Sequence, residues 1–527
     1  MTTNIRFSLT ASIGAVLISS VLLSQPASPP QSEEYLLLGS PNRGAGEPFV
    51  SVNPKDRNNI IVAAMATLNH LPTGESPITR GQPGMVEMRV KELSVPDGSR
   101  TDIAVTRDGG KTWTFGEDKI RKTLAKNRCS DSFAGAGPDG TLYVGCLAYM
   151  NLGAAGYEDG YSPQNGEPRN PGGGSAIAWS TDKGTTWSSP QYVHPLRSPQ
   201  LYPPDVHPVF EQVSPLDRPY FAADPQTGTI YLSGTGSAYT VDPATVERPK
   251  VDPALPGKGY TGYPPPSVSR GRTFIRASHD QGRTWGMIYP IDSDEYPGGR
   301  GGFGAAHGRL VVTYSASKVP AAENAQCPCT VLGTSADDGK TFAYKVIPPL
   351  PASAPASGNP PAGAGRGGRG FGGMGGGAML AVDPGKEGRY AIARQSGQRI
   401  VISLTEDGDK TWLPPVTAAE IPEGENFGHR AMKYSPRGDL GLMWKAVHAD
   451  RSYDVWSSVS RDGGRTFKTV RVSHAVSPPL ILGRGNFGFG DDLSSLDLDD
   501  AYLHVVWGDN RSGFLGTWYG RVPLSAY

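Results

Sequence analysis

The 527-residue sequence is poor in charged residues and carries no net charge. Charged side chains make up 19% of the chain, below the usual share of about 25%, and 50 basic residues balance 50 acidic ones. Proteins that bind nucleic acid through its phosphates usually present a net basic surface. Nucleic acid is therefore not an expected partner, and any recognition of an anion must depend on a local group of cations.

Glycine and proline interrupt the sequence frequently, with 69 glycines and 48 prolines, so long stretches that could form helices are rare. Both residues destabilise helix interiors, so an architecture of long helices is excluded. The hydrophobic share of 37% still suffices to bury a core. The length fits either two or three ordinary domains or one large domain built from repeats.

One long apolar run is present, and it lies at the N-terminus. Arg6 precedes the run from Phe7 to Leu23, and a proline-rich stretch follows it. This pattern predicts a signal peptide over residues 1–28, cleaved between Ser24 and Ser28, and hence a secreted or periplasmic protein. The alternative is an uncleaved anchor, since a spanning helix needs about 18 apolar residues. After signal removal, no stable membrane insertion is expected.

Four cysteines form two pairs along the chain. Cys129 and Cys146 flank a predicted hairpin that turns at residues 138–140, so a disulfide between them is favoured in an oxidising compartment. Cys327 and Cys329 look too close for an easy mutual bridge and are interpreted as surface thiols or as an unusual loop clamp. No zinc-binding spacing occurs, and the glycine-rich segments do not open a helix after a strand. The sequence therefore predicts no metal and no cofactor.

A short motif, Ser/Thr-x-Asp-x-Gly-x-x-Trp/Phe, recurs along the chain, and the copy from Thr405 to Trp412 has its glycine one place early. In such a turn the carboxylate accepts backbone N–H bonds, the glycine adopts a positive φ, and the aromatic ring covers apolar surface. We therefore expect the six aspartates of the motif to hold turns and to do no chemistry. They are Asp108, Asp182, Asp280, Asp337, Asp407 and Asp462.

The motif resembles the Asp-box of the sialidase-like (BNR-repeat) family of β-propellers, and the resemblance extends over nearly all of the mature chain. It implies a secreted glycoside hydrolase similar to exo-α-sialidases, which would cleave terminal acidic sugars from an anionic carbohydrate substrate. The resembling families also include polysaccharide lyases, other carbohydrate-active enzymes and non-catalytic propellers that bind glycans or proteins of the cell envelope. These remain the alternatives.

A second repeat indicates the number of blades. Seven predicted hairpins, each an apolar strand, a turn and another apolar strand, alternate with the six Asp-boxes. We predict an all-β, seven-bladed propeller of four-stranded antiparallel blades over residues 29–527, with six blades as the alternative. Residues 34–39 are expected to supply the outer strand of the last blade. A Gly/Pro-rich insertion at about 351–378 cannot pack a core and is expected to be disordered.

One face of such a propeller should collect the residues before each first strand and after each second strand. Polar groups converge there, as in an active or binding cleft. Those before first strands are Arg43, Glu47, Asp131, Asp217, Arg218, Arg300, Glu425, His429, Arg430, Asp491 and Asp492. Those after second strands include Asn69, His70, Tyr149, Tyr314, Arg394, Lys445, Asp509, Asn510 and Arg511.

The resemblance implies an arginine cluster, a Tyr–Glu nucleophile pair and an aspartate acid/base. Binding of the substrate carboxylate is assigned to Arg43, Arg218, Arg300 and Arg430, and acid/base chemistry to Asp131 or Asp491. Tyr314 is the candidate nucleophile with Glu425 as its base, and His429 is the candidate base of a lyase. The Phe/Tyr-Arg-Ile-Pro segment typical of sialidases is absent. For each residue, a salt bridge or loop anchor at a blade junction is the alternative role.

Overall fold

Short apolar strands separated by tight turns fold the chain into seven antiparallel sheets, as the computed structural model shows. The structure describes residues 32–40, 43–68, 100–115, 128–149, 173–193, 209–212, 217–241, 269–350, 378–479 and 493–527. The predicted all-β, seven-bladed propeller of four-stranded blades is confirmed. The third sheet carries one additional strand.

The strands follow the chain blade by blade. The chain enters with β1 (Glu33–Leu38). Blade 1 comprises β2 (Arg43–Asn53), β3 (Asp56–Leu68), β4 (Arg100–Thr106) and β5 (Thr114–Phe115), and blade 2 comprises β6 (Arg128–Ala136), β7 (Leu142–Tyr149), β8 (Gly173–Ser180) and β9 (Gln191–Tyr192). Blade 3 comprises β10 (Val209–Gln212), β11 (Asp217–Ala223), β12 (Ile230–Val241), β13 (Ser269–Ser278) and β14 (Tyr289–Pro290).

The remaining blades are more regular. Blade 4 comprises β15 (Gly298–Ala306), β16 (Arg309–Ala316), β17 (Cys329–Ser335) and β18 (Ala343–Val346), and blade 5 comprises β19 (Met379–Val382), β20 (Tyr390–Ser396), β21 (Arg399–Thr405) and β22 (Val416–Glu420). Blade 6 comprises β23 (Asn426–Tyr434), β24 (Leu440–Val447), β25 (Tyr453–Ser460) and β26 (Lys468–Arg471), and blade 7 comprises β27 (Ser495–Leu498), β28 (Tyr502–Asp509) and β29 (Gly516–Pro523) together with β1. Two 3₁₀ turns are Ala321–Glu323 and Leu524–Ala526.

The first strand of each blade lines the axis. These strands contact one another in a closed cycle that runs from β2 through β6, β11, β15, β19, β23 and β27 and back to β2. Each first strand begins at the face that also receives the end of the second strand, because the two strands are antiparallel. We call this the bulge face, for the β-bulges described below, and the opposite face the turn face.

The core is divided into seven hydrophobic clusters, one between each pair of neighbouring blades. Successive side chains of a strand point to opposite sides of its sheet, so each strand contributes to two clusters. In β24, for example, Leu442 and Trp444 pack toward blade 5, whereas Met443 packs toward blade 7. The blades also approach closely, since a Cβ on Gly135 would lie 2.3 Å from the ring of Phe221 on the next blade.

The ring is closed by the N-terminal strand. β1 pairs with β29 as the outer strand of blade 7, which confirms the role predicted for residues 34–39. The carboxylate of Glu34 accepts hydrogen bonds from both terminal nitrogens of Arg511, at 2.8 and 3.2 Å. Arg511 also pairs with Asp509 at 2.7 Å and stacks over the ring of Trp518. Both ends of the propeller are thus joined in one sheet.

The six motif aspartates lie in turns that join the third and fourth strands of blades 1 to 6. One carboxylate oxygen of each accepts the backbone N–H of the threonine four residues later, at 2.8 or 2.9 Å. The other oxygen accepts the hydroxyl of the same threonine, at 2.6 or 2.7 Å. In the first turn, the hydrogen bonds from Thr112 hold the pKa of Asp108 well below its ordinary value. These carboxylates are fully engaged within their own turns.

The cysteines are oxidised. Cys129 and Cys146 lie on the paired strands β6 and β7, and Cys146 is bonded in a disulfide, while the side chain of Cys129 lies outside the described residues. Cys327 and Cys329 form a disulfide with each other. The interpretation as surface thiols was wrong, whereas that as an unusual loop clamp agrees with this bond, for which the turn before β17 brings the Cα atoms to 4.3 Å.

Two predicted segments lie outside the described residues, namely the signal peptide at 1–28 and the part of the Gly/Pro-rich insertion at 351–377. Residues 31–527 form one compact unit. Within the described ranges, no helix combines the length and the apolar character needed to cross a membrane.

The ion pair that closes the ring should matter for stability. Arg511→Ala would leave the buried carboxylates of Glu34 and Asp509 without their common partner, so we expect it to lower the free energy of unfolding by about 3–5 kcal/mol. The matched control is Arg399→Ala, since Arg399 forms an exposed pair with Glu420 and should contribute at most about 1 kcal/mol. Urea unfolding followed by tryptophan fluorescence measures both, and equal losses would contradict the closing role of Arg511.

Candidate functional site

In five of the seven blades, the first strand contains a β-bulge near its beginning, at the bulge face. In each case two residues of the first strand lie opposite one residue of the second strand, so the register shifts by one residue at the bulge face. The bulged residues are Glu47 and Pro48, Asp131 and Ser132, Arg218 and Pro219, Gly299 and Arg300, and Gly428 and His429. Bulges redirect side chains and are common next to functional sites.

Three of these bulges hold a charged residue in the left-handed region of backbone conformation. The φ angles are 51° at Glu47, 46° at Asp131 and 54° at Arg218. This conformation costs a non-glycine residue about 1–3 kcal/mol, and such strain is frequent at functional sites. Asp131 also links two blades, since its carboxylate accepts the backbone N–H of Arg218 at 3.2 Å. Equivalent positions of blades 1, 2 and 3 therefore carry two acidic residues and one basic residue.

His429, in the bulge of blade 6, lies among cations. Its side chain is 4% exposed, and neither ring nitrogen has a hydrogen-bond partner among the described residues. Burial lowers the pKa of His429 well below its ordinary value, and the positive charges of Lys445, Arg218 and Arg430 lower it further. Because Arg218 belongs to blade 3 and His429 to blade 6, this electrostatic contact can only be made across the axis.

Arg430, next to His429, is buried and Arg394 on blade 5 is half-buried, and both have neutral partners. Arg430, 6% exposed, donates to the side-chain oxygen of Gln395 at 2.7 Å, and Arg394 donates to the hydroxyl of Ser403 at 2.6 Å. Burial alone lowers the pKa of each guanidinium group to about 10. Within the part of the chain that the structure describes, neither arginine forms an ion pair with a carboxylate.

Three other arginines of the interior have counter-charges, whereas the buried Arg276 donates only to backbone carbonyls. Arg272 pairs with Asp292 at 2.6 Å, and both side chains are almost inaccessible. Arg389 pairs with Asp383 and Glu406, and Arg511 pairs with Asp509 and Glu34. The fold thus supplies carboxylates to arginines elsewhere. We call the group of Arg218, Arg394, His429, Arg430 and Lys445 the axial cluster.

The fifth member of the cluster, Lys445, is fully buried on β24. Its amine lies 5.0 Å from the centre of the Tyr453 ring, which offers a weak cation–π contact. A Cβ on the bulged Gly428 would lie 3.0 Å from the Cβ of Lys445, so the bulge and the lysine are in close contact.

The structure brings part of the predicted site together. Arg218, His429 and Arg430 share the axial cluster, and Asp131 contacts Arg218. Arg43 lies on β2 and Arg300 in the bulge of β15, but the side chains of both are outside the described residues. Asp491 lies outside the described residues altogether.

Tyr314 and Glu425, the expected nucleophile and base, have separate partners. Tyr314 is fully buried in the cluster between blades 3 and 4, where its hydroxyl donates to the carbonyl of Tyr296 at 2.8 Å. Burial raises the pKa of Tyr314 far above its ordinary value. Glu425 instead lies 3.0 Å from His448, which also contacts Asp454 at 3.1 Å. Tyr314 and Glu425 are therefore not positioned to act together as nucleophile and base.

Three residues of this region were not assigned a site role from the sequence. Arg394 and Lys445 were predicted to follow second strands at this face but lie within β20 and β24, and Gln395 had no predicted role. A signal was available for Arg394 and Lys445, because a cation inside an apolar strand is unusual. Among the described residues, no group of three or more His, Cys, Asp or Glu side chains could hold a metal ion.

No known protein-family model and no curated protein matches this chain. Among solved structures, a protein of unknown function from Dyadobacter fermentans is 14% identical, with a TM-score of 0.44, over 93% of this chain and 99% of that one. Trypanosoma rangeli sialidase in complex with the inhibitor DANA is 13% identical, with a TM-score of 0.41, over 92% and 74% of the two chains.

A third structural neighbour is the intramolecular trans-sialidase from Ruminococcus gnavus in complex with oseltamivir carboxylate. It is 14% identical, with a TM-score of 0.39, over 77% of this chain and 97% of that one. Structural neighbours of this chain thus include sialidases at low identity. Values this low assign neither an activity nor a substrate to it.

Two histidines of blade 6 should give opposite dependences of stability on pH. The pKa of His429 is lowered, so as the pH falls below about 6.5 the unfolded chain binds a proton before the folded chain does. The free energy of unfolding therefore decreases as the pH is lowered, by up to about 1.4 kcal/mol per pH unit. Burial also lowers the pKa of His448, but Glu425 and then Asp454 outweigh it and raise that pKa. Its contribution is complete below about pH 6.5 and is lost as the pH rises through the folded value.

Unfolding free energies between about pH 8 and about pH 5.5 test this difference. His429→Gln should remove a loss of stability toward acid pH, whereas His448→Gln should remove a gain. If both variants changed the pH dependence in the same direction, the buried and cation-surrounded environment assigned to His429 would be wrong.

Proposed function

We propose that this protein is a glycoside hydrolase that resembles exo-α-sialidases and cleaves terminal acidic sugars. One observation carries the proposal: Arg394 and Arg430 are desolvated on neighbouring blades and have only neutral hydrogen-bond partners among the described residues. Guanidinium groups bind carboxylates through paired, charge-assisted hydrogen bonds. The carboxylate of an acidic sugar would supply the missing counter-charge.

The position of the axial cluster supports a small anionic ligand. Its members come from blades 3, 5 and 6, and the charges of Arg218, Arg430 and Lys445 all act on His429. Arg430 is buried beside the neutral Gln395, and an incoming carboxylate would offset the cost of burying its charge.

Two carboxylates on the neighbouring blades 1 and 2 are suited to the hydrolytic step. Glu47 and Asp131 occupy equivalent bulge positions with the same left-handed backbone, and glycosidases use two such groups. We assign Asp131 as the acid that protonates the glycosidic oxygen while its bond to the sugar breaks. Glu47 would take the proton of the attacking water. Tyr314 and Glu425 have no part in this scheme.

Secretion or periplasmic location stays a proposal that depends on the signal peptide predicted from the sequence. The same holds for the choice of an anionic carbohydrate as the partner. The N-terminal residue of the exported protein would decide between cleavage after residues 24–28 and retention of the segment.

The environment of His429 favours a second candidate function, that of a lyase for uronate-containing polysaccharides. Its imidazole stays neutral near pH 7 because of burial and the neighbouring cations, and its ring nitrogens have no partner among the described residues. In this scheme the arginines hold the uronate carboxylate and His429 takes the proton next to it. The bond to the leaving sugar then breaks, the leaving oxygen acquires a proton, and an unsaturated sugar is formed.

The hydrolase proposal predicts that the purified protein releases the fluorophore from a fluorogenic sialoside. Arg430→Ala and Arg394→Ala should each lower kcat/KM by about 10- to 100-fold, which corresponds to the loss of one charge-assisted hydrogen bond. Arg399→Ala, an exposed arginine of blade 5, is the matched control and should retain full activity.

Absence of release by the wild-type protein, or equal activity of all three variants, would overturn the hydrolase proposal. Binding of free sialic acid, measured by calorimetry, separates the remaining cases. Binding that depends on Arg430 but without turnover would identify a non-catalytic glycan-binding propeller.

The lyase candidate predicts an increase in ultraviolet absorbance when the protein acts on a uronate polymer. His429→Gln should lower this rate at least about 100-fold, as expected for the loss of a general base, while His448→Gln, a histidine at the rim of the same blade, should not. No absorbance change with any uronate polymer would exclude the lyase.

A further inference from the structure

The Cys327–Cys329 disulfide lies in an unusual place for a stabilising bond. It spans a single residue, Pro328, at the end of the loop from β16 to β17. This loop joins the second and third strands of blade 4 and so belongs to the bulge face, beside the first-strand bulge at residues 299–300.

The loop is already held by other interactions. The ladder between β16 and β17 is regular from Leu310 opposite Ser335 to Ala316 opposite Cys329. The 3₁₀ turn within the loop is anchored by the hydroxyl of Tyr296, which donates to Glu323 at 2.9 Å. A disulfide removes more entropy from the unfolded chain the longer the loop it closes, so a bond across one residue stabilises the fold little.

The two residues that form this bond are partly exposed, whereas Cys146 is fully buried. Both Cys327 and Cys329 are half-buried, and Pro328 between them is exposed. Cys146 lies within the cluster between blades 1 and 2 and has no exposed surface. Thiol–disulfide exchange requires the attacking thiolate to reach a sulfur atom, so access decides which of the two bonds reacts.

We propose that Cys327 and Cys329 form a thiol–disulfide exchange site that accepts two electrons from a dithiol partner. A thiolate of the partner attacks one sulfur, the bond between the two cysteines breaks, and the released thiolate takes a proton from water. The second thiol of the partner then attacks the mixed disulfide. The partner leaves with an intramolecular disulfide, and both cysteines are reduced.

Dithiothreitol, itself a dithiol, is the probe. The native protein is incubated with graded concentrations, trapped with iodoacetamide and analysed by peptide mass spectrometry. We expect Cys327 and Cys329 to be alkylated at dithiothreitol concentrations at least about tenfold lower than Cys146, and glutathione disulfide to restore the bond. The rate of reduction should exceed that of glutathione disulfide itself by about tenfold.

Equal resistance of the two disulfides, or reduction of Cys327 and Cys329 only in urea, would overturn the proposal. A rate no faster than that of glutathione disulfide would do so as well, because it would indicate a surface bond without exchange function. The Cys327→Ser/Cys329→Ser variant should keep the urea midpoint of the wild type and lose the fast reaction. A large fall in its midpoint would show a structural bond instead. All readouts are independent of glycan binding.

Discussion

Every part of the propeller depends on the closure of its ring. Each sheet has two apolar faces, and each face is buried only because another blade lies against it. An open array would leave one face of the first and one of the last blade in water, as well as an unpaired strand edge. β1 removes that edge, because it completes blade 7 and brings residues from both ends of the chain into the cluster between blades 7 and 1. The buried pair of Glu34 and Arg511 joins β1 to blade 7 on the side that faces blade 6.

Closure also creates the candidate site. The first strands converge on the axis, so residues far apart in sequence influence one another there, as the charge of Arg218 lowers the pKa of His429. A regular strand would alternate its side chains between the two inter-blade clusters. The bulge interrupts this alternation at one end, and the polar residues Glu47, Asp131, Arg218 and His429 all lie in such bulges. The β-bulge that interrupts the packing of the hydrophobic core at this face thus also places polar residues there.

The number of blades, the outer strand β1 and the placement of the Asp-box turns follow from repeats, which are local features of a sequence. The site was less predictable because it depends on register. Tyr314 was expected after a second strand but lies within β16, where strand alternation directs it into the core between blades 3 and 4. Glu425 is drawn to His448, a contact that depends on where two loops end. The desolvation of Arg394 and Arg430 depends on neighbouring blades and cannot be read from either segment alone.

The axial cluster has the character of a binding site because the rest of the molecule is neutralised so thoroughly. Acidic and basic residues are equal in number, and Arg272, Arg389 and Arg511 all meet carboxylates in the interior. A chain that can place carboxylates beside buried arginines on blades 3, 5 and 7 could do so for Arg430, yet its partner is the neutral Gln395. Gln395 orients the guanidinium group without cancelling its charge. A guanidinium group that keeps its charge in this way can form paired, charge-assisted hydrogen bonds with an anionic ligand.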